Sequence, residues 1–216
     1  MRKVTITYNL YTYDELSDDA KENAKQWYLQ NCRKPFFFTE DVEQDLENLF
    51  GENNFDVQYQ LSYCQGDGLN IFGSVAVSNV IKFVKEHQLN ERSFDSLYNI
   101  LTDEEMDTIL LYSKETDGIA LHQNIHDCYC MAEYIEFTDE WEEQLEWAIE
   151  NDRVDYKSIN TELIEKFEQL VKDIFHELCN MYADWGYQYF YEVSDEEMTE
   201  VCKANNFEFL EDGTIY

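Results

Sequence analysis

Within LHQNIHDCYC, His122, His126, Cys128 and Cys130 fall inside nine residues. Two imidazoles and two thiolates make a tetrahedral zinc set, and zinc held by them would leave the site electrically neutral. If the segment is a strand, Cys128 and Cys130 point to one face, with His126 near the turn before them. Four protein ligands would close such a site, making it structural, with no open position for catalysis. The spacing is not that of a zinc finger, and the same residues suit buried thiols and exposed imidazoles, so both readings stand. His176 and Cys179, one helical turn apart, could replace one of these ligands.

Carboxylates are the other abundant chemical group. The chain carries 47 Asp and Glu against 15 Lys and Arg, a formal net charge of -32 over 216 residues. Solubility asks for far less, a net charge of about 2–8 in magnitude for a small domain. Acids at this density repel one another in the compact state, so an excess this large points to use. Residues 101–150 hold 15 acids and one base, Lys114. In a helix from Asp139 to Asn151, Asp139, Glu142, Glu143, Glu146 and Glu150 share an arc of about 100°. Trp141, Leu145, Ala148 and Ile149 lie opposite. The carboxylate ridge would run about 20 Å, over which one DNA strand sets about six phosphates.

Other chemistries fit poorly. The GDG of CQGDG lacks the lysine and helix of a phosphate loop, and reads as a tight turn. There is no GxSxG or HExxH. Cys128 beside His126 could pair as nucleophile and base, but acidic surroundings disfavour a thiolate. No catalytic set is expected.

The elements that would position these groups follow from periodicity. Residues 3–12 alternate as a strand, and this start is not a signal-peptide pattern. Ser17 predicts an N-cap, with Leu16, Ala20, Ala24, Trp27 and Tyr28 as the buried stripe of a helix to about Gln30. Pro35, the one proline, is expected to end that segment, before an acidic helix from Glu40 to Phe50. FDVQYQLSY alternates, placing Phe55, Val57, Tyr59, Leu61 and Tyr63 toward a core, and pairs through the CQGDG turn with LNIFGSVAV. Residues 78–101 read as helical. TILLYSK and GIALHQN read as a hairpin about ETDG, with CYCMAEYIEF as a third strand. Leu163, Phe167, Leu170, Ile174, Leu178, Met181 and Trp185 predict one long core helix. Ser194 to Glu197 is a capping box, and FEFL with TIY about Asp212-Gly213 a closing hairpin. The expected fold is one α+β domain spanning 1–216, antiparallel hairpins packed with several helices. No apolar run is long enough for a membrane span. Six cysteines without a secretory signal read as reduced thiols or metal ligands.

Four segments also carry a resemblance: YTYDELSDDAKENAKQWY, LSYCQGDGLNIFG, the His122 strand and SDEEMTEVCKANNFEFLEDGTIY. Together, in matching order over most of the chain, they resemble a group of phage-encoded acidic accessory proteins with a QGDG hairpin. That group commonly has Ser where this chain has Cys64, which implies that Cys64 is not essential. The chain is similar to type II anti-CRISPR proteins, Cas9 inhibitors that include acidic and metal-bearing members. The resemblance transfers no functional residue to a numbered position. It implies a non-enzymatic protein acting in the bacterial cytoplasm, binding host Cas9 through its acidic surface and preventing DNA loading, without binding nucleic acid or membrane itself. Asp139, Glu142, Glu143, Glu146 and Glu150 are the expected contact, and His122, His126, Cys128 and Cys130 the expected zinc ligands. The alternatives are a DNA mimic aimed at a restriction enzyme or other DNA-binding defence protein, and a metal-dependent enzyme.

Overall fold

Side-chain caps and apolar spacing set where the helices begin. The computed structural model describes residues 2–4, 6–51, 54–64, 66–87, 101–113, 118–121 and 140–216. Ser17 accepts a hydrogen bond from the Ala20 N–H and opens α1 (Asp18–Asn31). α2 (Pro35–Phe50) begins on the proline, where its missing N–H would have no helical partner anyway. Pro35 therefore starts a helix, where the sequence reading had it only ending one. Phe38, Val42, Leu46 and Phe50, four residues apart, form the buried stripe of α2.

Strands β1 (Phe55–Gln60), β2 (Gly68–Ala76) and β3 (Gly118–Leu121) form an antiparallel sheet in the order β1-β2-β3. Val57 faces Ile71, and Ala76 faces Gly118. The remaining helices are α3 (Val77–His87), α4 (Asp103–Tyr112), α5 (Glu140–Glu150), α6 (Thr161–Tyr191) and α7 (Asp195–Asn205). The fold is α+β, with its long helix in the C-terminal half. Among the described residues, no helix is long and apolar enough to cross a membrane.

The chain divides into two compact units. Thr39–Asp184 is one. Its core holds a phenylalanine stack: Phe50 lies 4.9 Å from Phe83 and 5.3 Å from Phe175, centroid to centroid, with Phe55 5.7 Å from Phe50. One ring comes from each of α2, β1, α3 and α6. Tyr182 on α6 donates from its hydroxyl to Asp45 on α2 at 2.7 Å. The other unit joins Met1–Phe38 to Trp185–Tyr216. Tyr13, Leu16, Ala20, Ala24, Tyr28, Met198, Cys202 and Phe209 form its core. Ser194 caps α7 by accepting from the Glu197 N–H.

Three sequence expectations change. Of the described residues within 3–12, only Tyr11 pairs, with Phe209, which in turn bridges Ile215. The chain turns back at Leu210–Thr214, so that small hairpin offers no longer edge. Val4, Ile6, Tyr8 and Leu10 are consequently exposed. TILLYSK is not a strand, because its first five residues belong to α4. Thr102 and Glu105 form a reciprocal capping box, and Met106, Ile109 and Tyr112 repeat every three residues on a buried face. GIAL pairs with β2 instead. Tyr63 is exposed, whereas Phe55, Val57 and Leu61 face the core.

Gly213 (φ +84°) closes the Phe209–Ile215 hairpin, and a Cβ there would collide with the Ala20 carbonyl oxygen. Gly51 (φ +71°) is also left-handed but has open space around it. Gly51→Ala should therefore destabilise by about 1 kcal/mol, the left-handed penalty alone. Gly213→Ala should destabilise by more than about 2 kcal/mol, because a backbone atom must also move. Urea unfolding of the two variants checks the order.

Candidate partner-binding surface

Charge is unevenly divided between the units. Thr39–Asp184 contains 34 acids and 8 bases, a net of -26, whereas the other unit has 13 acids and 7 bases, a net of -6. Several bases of the acidic unit are already engaged. Lys166 meets Glu105 at 2.8 Å, Lys85 meets Asp107 at 3.2 Å, and Lys82 meets Glu86 at 3.8 Å.

α5 carries the ridge that the sequence singled out. Glu143, Glu146 and Glu150 are exposed along one side, and none is in an ion pair among the described residues. Asp139 lies outside the described residues, and Glu142 is placed within α5 by its backbone. Gln144 and Ala148 lie almost opposite the three carboxylates and are buried, at 2% and 0% exposure. The buried line is thus centred on Gln144 and Ala148, with Leu145 and Ile149 half-buried at its flank. This differs from the apolar face expected from Trp141, Leu145, Ala148 and Ile149. A polar Gln at the centre of a buried face hides from any hydrophobicity pattern.

The end of α5 is firmly built. Asp152 (φ +54°) reverses the chain, its N–H reaching the Ile149 carbonyl while the Arg153 N–H reaches Ala148. This is a Schellman ending with Asp in the usual glycine place. The Arg153 guanidinium then lies 4.7 Å from the Trp147 ring centroid.

A second acidic row lies on α2, which the sequence marked only as an acidic helix. Glu40, Asp41, Glu43, Gln44 and Glu47, with Phe55, line a cleft of about 420 Å³. Glu40, Glu43 and Glu47 repeat the three-then-four spacing of Glu143, Glu146 and Glu150. That shared spacing is present in the sequence, but which face of the helix is buried is not. Like charges three or four apart destabilise a helix by about 0.2–0.5 kcal/mol per pair. Both rows therefore cost their own helices stability.

His122, His126, Cys128 and Cys130 lie outside the described residues. Among the described residues, no group of three or more His, Cys, Asp or Glu side chains is placed to hold a metal ion, so His176 and Cys179 have no such companions there. Cys32, Cys64 and Cys202 are free thiols. Burial pushes the Cys202 thiol up to about 11, and the nearby Asp14 adds to this, so it is protonated at neutral pH. No family model, curated protein or solved structure matches the chain.

Among the described residues five carboxyls leave their ordinary range, and the backbone N–H groups of Thr12 and Thr214 hold Glu15 and Asp212 down. Burial holds Glu168 above the ordinary range, so ionising it opposes folding, and stability is gained as pH falls through its folded value. Glu105, held down first by its hydrogen bond from Lys166, and Asp195, held down first by Lys25 and then by Tyr13, act oppositely. Their contributions are present above the ordinary carboxylate range and are lost as pH falls through their lowered values. The thermal midpoint should therefore hold or rise from pH 7 toward the ordinary carboxylate range, then fall below it. Scanning calorimetry across that range checks the shape, and Glu105→Gln should flatten the acid limb.

Proposed function

We propose that this chain is a non-enzymatic inhibitor that presents carboxylates to the basic surface of a host nucleic-acid-handling protein. The single observation that carries the reading is the net -26 of Thr39–Asp184, with glutamates at matching spacing on α2 and α5, all three exposed on α5. These rows oppose the stability of their own helices, so the fold does not account for them. Cas9 is the first candidate target, through the resemblance to type II anti-CRISPR proteins. Such an effector holds its heteroduplex in a positively charged channel and reads a neighbouring motif with arginines. An acidic domain seated there excludes DNA without any bond being made or broken.

In a mobility-shift assay, Cas9–guide complex incubated first with this protein should fail to retain target DNA. The protein alone should retain none, and neither DNA nor guide should be cleaved. Retention by the protein alone, or undiminished DNA loading, would sink the reading. The triple variant Glu143→Lys, Glu146→Lys, Glu150→Lys should inhibit about tenfold less well, because like charges then face each other across the contact. It should melt no lower than the parent, since repulsion along α5 is relieved.

The proposal includes a structural zinc ion held by His122, His126, Cys128 and Cys130. Its support is the donor set, two imidazoles and two thiols within nine residues. Elemental analysis should find about one zinc per chain. Cys128→Ser with Cys130→Ser should lose it, while Cys32→Ser with Cys202→Ser should keep it. Metal retained by the first pair would remove zinc from the account.

A further inference from the structure

A segment with the pattern of a strand leaves its backbone unpaired. Residues 2–4 and 6–10 belong to no helix or strand, and among the described residues they take part in no hydrogen bond or ion pair. Their apolar side chains alternate along the chain. Val4 is 73% exposed, Ile6 66%, Tyr8 53% and Leu10 38%. The Tyr8 ring lies 6.0 Å from that of Tyr216, and both rings stay more than half exposed. The first acid in the chain is Asp14, so Arg2 and Lys3 give the segment a local positive charge. Unpaired backbone with alternating apolar side chains is a template for strand addition.

The segment complements a second copy of itself. In an antiparallel pair, setting Val4 opposite Leu10 also sets Ile6 opposite Tyr8, twice over by two-fold symmetry. All four apolar residues of each copy then gain an apolar cross-strand partner. A slip of two residues either way leaves Leu10 against Arg2, or Val4 against Thr12. The favoured register also carries Arg2 to Thr12 of the second copy. There the Thr12 N–H and hydroxyl donate to the Glu15 carboxylate, at 2.8 and 2.9 Å, and Glu15 is in no ion pair among the described residues. A guanidinium thus arrives beside an uncompensated carboxylate. Tyr11 already pairs with Phe209 along one edge. In a strand continuing from Tyr11, Leu10, Tyr8, Ile6 and Val4 bond along the other edge, so a second copy need not displace Phe209.

We propose that the segment from Val4 to Leu10 pairs antiparallel with the same segment of a second copy, with Thr7 on the axis of a two-fold dimer. The inference goes beyond the reading of an acidic inhibitor and does not depend on it. Two chains of net charge -32 repel, so the dimer should tighten as salt screens them. Binding to a basic partner should weaken over the same range. Salt therefore moves the two associations in opposite directions.

Sedimentation equilibrium of the full chain at about 0.05 and about 0.5 M sodium chloride gives the dimer dissociation constant. The parent should form a reversible dimer that is tighter at the higher salt. Ile6→Asp should weaken it about tenfold or more, because a carboxylate then loses water against Tyr8. Leu111→Asp adds the same charge at a 51% exposed apolar position of α4 and should leave it within about twofold. Thermal melts verify that both variants fold. The register has its own readout, in a Cys64→Ser background. Thr7→Cys places thiols in a non-hydrogen-bonded pair on the axis, about 4.5 Å apart between Cα atoms and within disulfide reach. Asn9→Cys places them about 13 Å apart. Mild oxidation should link two copies through position 7 and not through position 9. A monomer at every concentration and salt overturns the proposal, as does a dimer untouched by Ile6→Asp or linked equally through both positions. The effector assay tests the inhibitor reading separately, since none of these outcomes alters it.

Discussion

Everything in the acidic unit depends on packing that can outweigh repulsion among its own carboxylates. A net charge of -26 is spread over the 146 residues of Thr39–Asp184. The opposing interaction is the contact of Phe50 with Phe55, Phe83 and Phe175. Each such ring pair contributes about 0.5–1.5 kcal/mol beyond the apolar area it buries. The four rings come from four elements, so the stack fixes α2, β1, α3 and α6 together. Helices held in this way can carry like charges three and four residues apart without unwinding. Their carboxylates stand on well-packed backbones and need little ordering when a partner arrives.

The two acidic rows follow one rule. On α5 glutamates at three-then-four spacing occupy the side away from the buried residues, and on α2 the same spacing runs along the flank of the buried stripe, with Glu40 exposed and Glu43 and Glu47 half-buried. Regular helices convert a spacing in sequence into a line of charge in space. Lines of fixed charge suit a partner shaped to hold a phosphate backbone, which is itself a line of charge at regular intervals.

Local signals carried the sequence reading a long way. Ser17 and Ser194 announced their helices, Phe55 and Val57 announced a half-buried strand, and the stripe from Leu163 to Leu178 announced α6. These features are decided within a few residues of chain. The failures have one physical origin, the choice of partner. Alternation in residues 3–12 fitted a strand, but a strand needs a neighbour, and Phe209 offers one pairing before the chain turns. TILLYSK has β-branched and aromatic residues, yet the Thr102–Glu105 box upstream commits it to α4. Of the site, Glu143, Glu146 and Glu150 were readable because helical periodicity alone places them. The α2 row needed knowledge of which face of that helix is buried.

The central claim is that carboxylates in Thr39–Asp184 bring the partner in, and the most direct measurement is affinity against salt. The dissociation constant of the protein for Cas9–guide complex would be determined from about 0.05 to 0.5 M sodium chloride, a range over which the Debye length shortens from about 14 to about 4 Å. The account predicts that affinity falls steeply across this range, and that the fall is shallower for the variant with Lys at positions 143, 146 and 150. An affinity flat with salt, or the same slope in parent and variant, would contradict it.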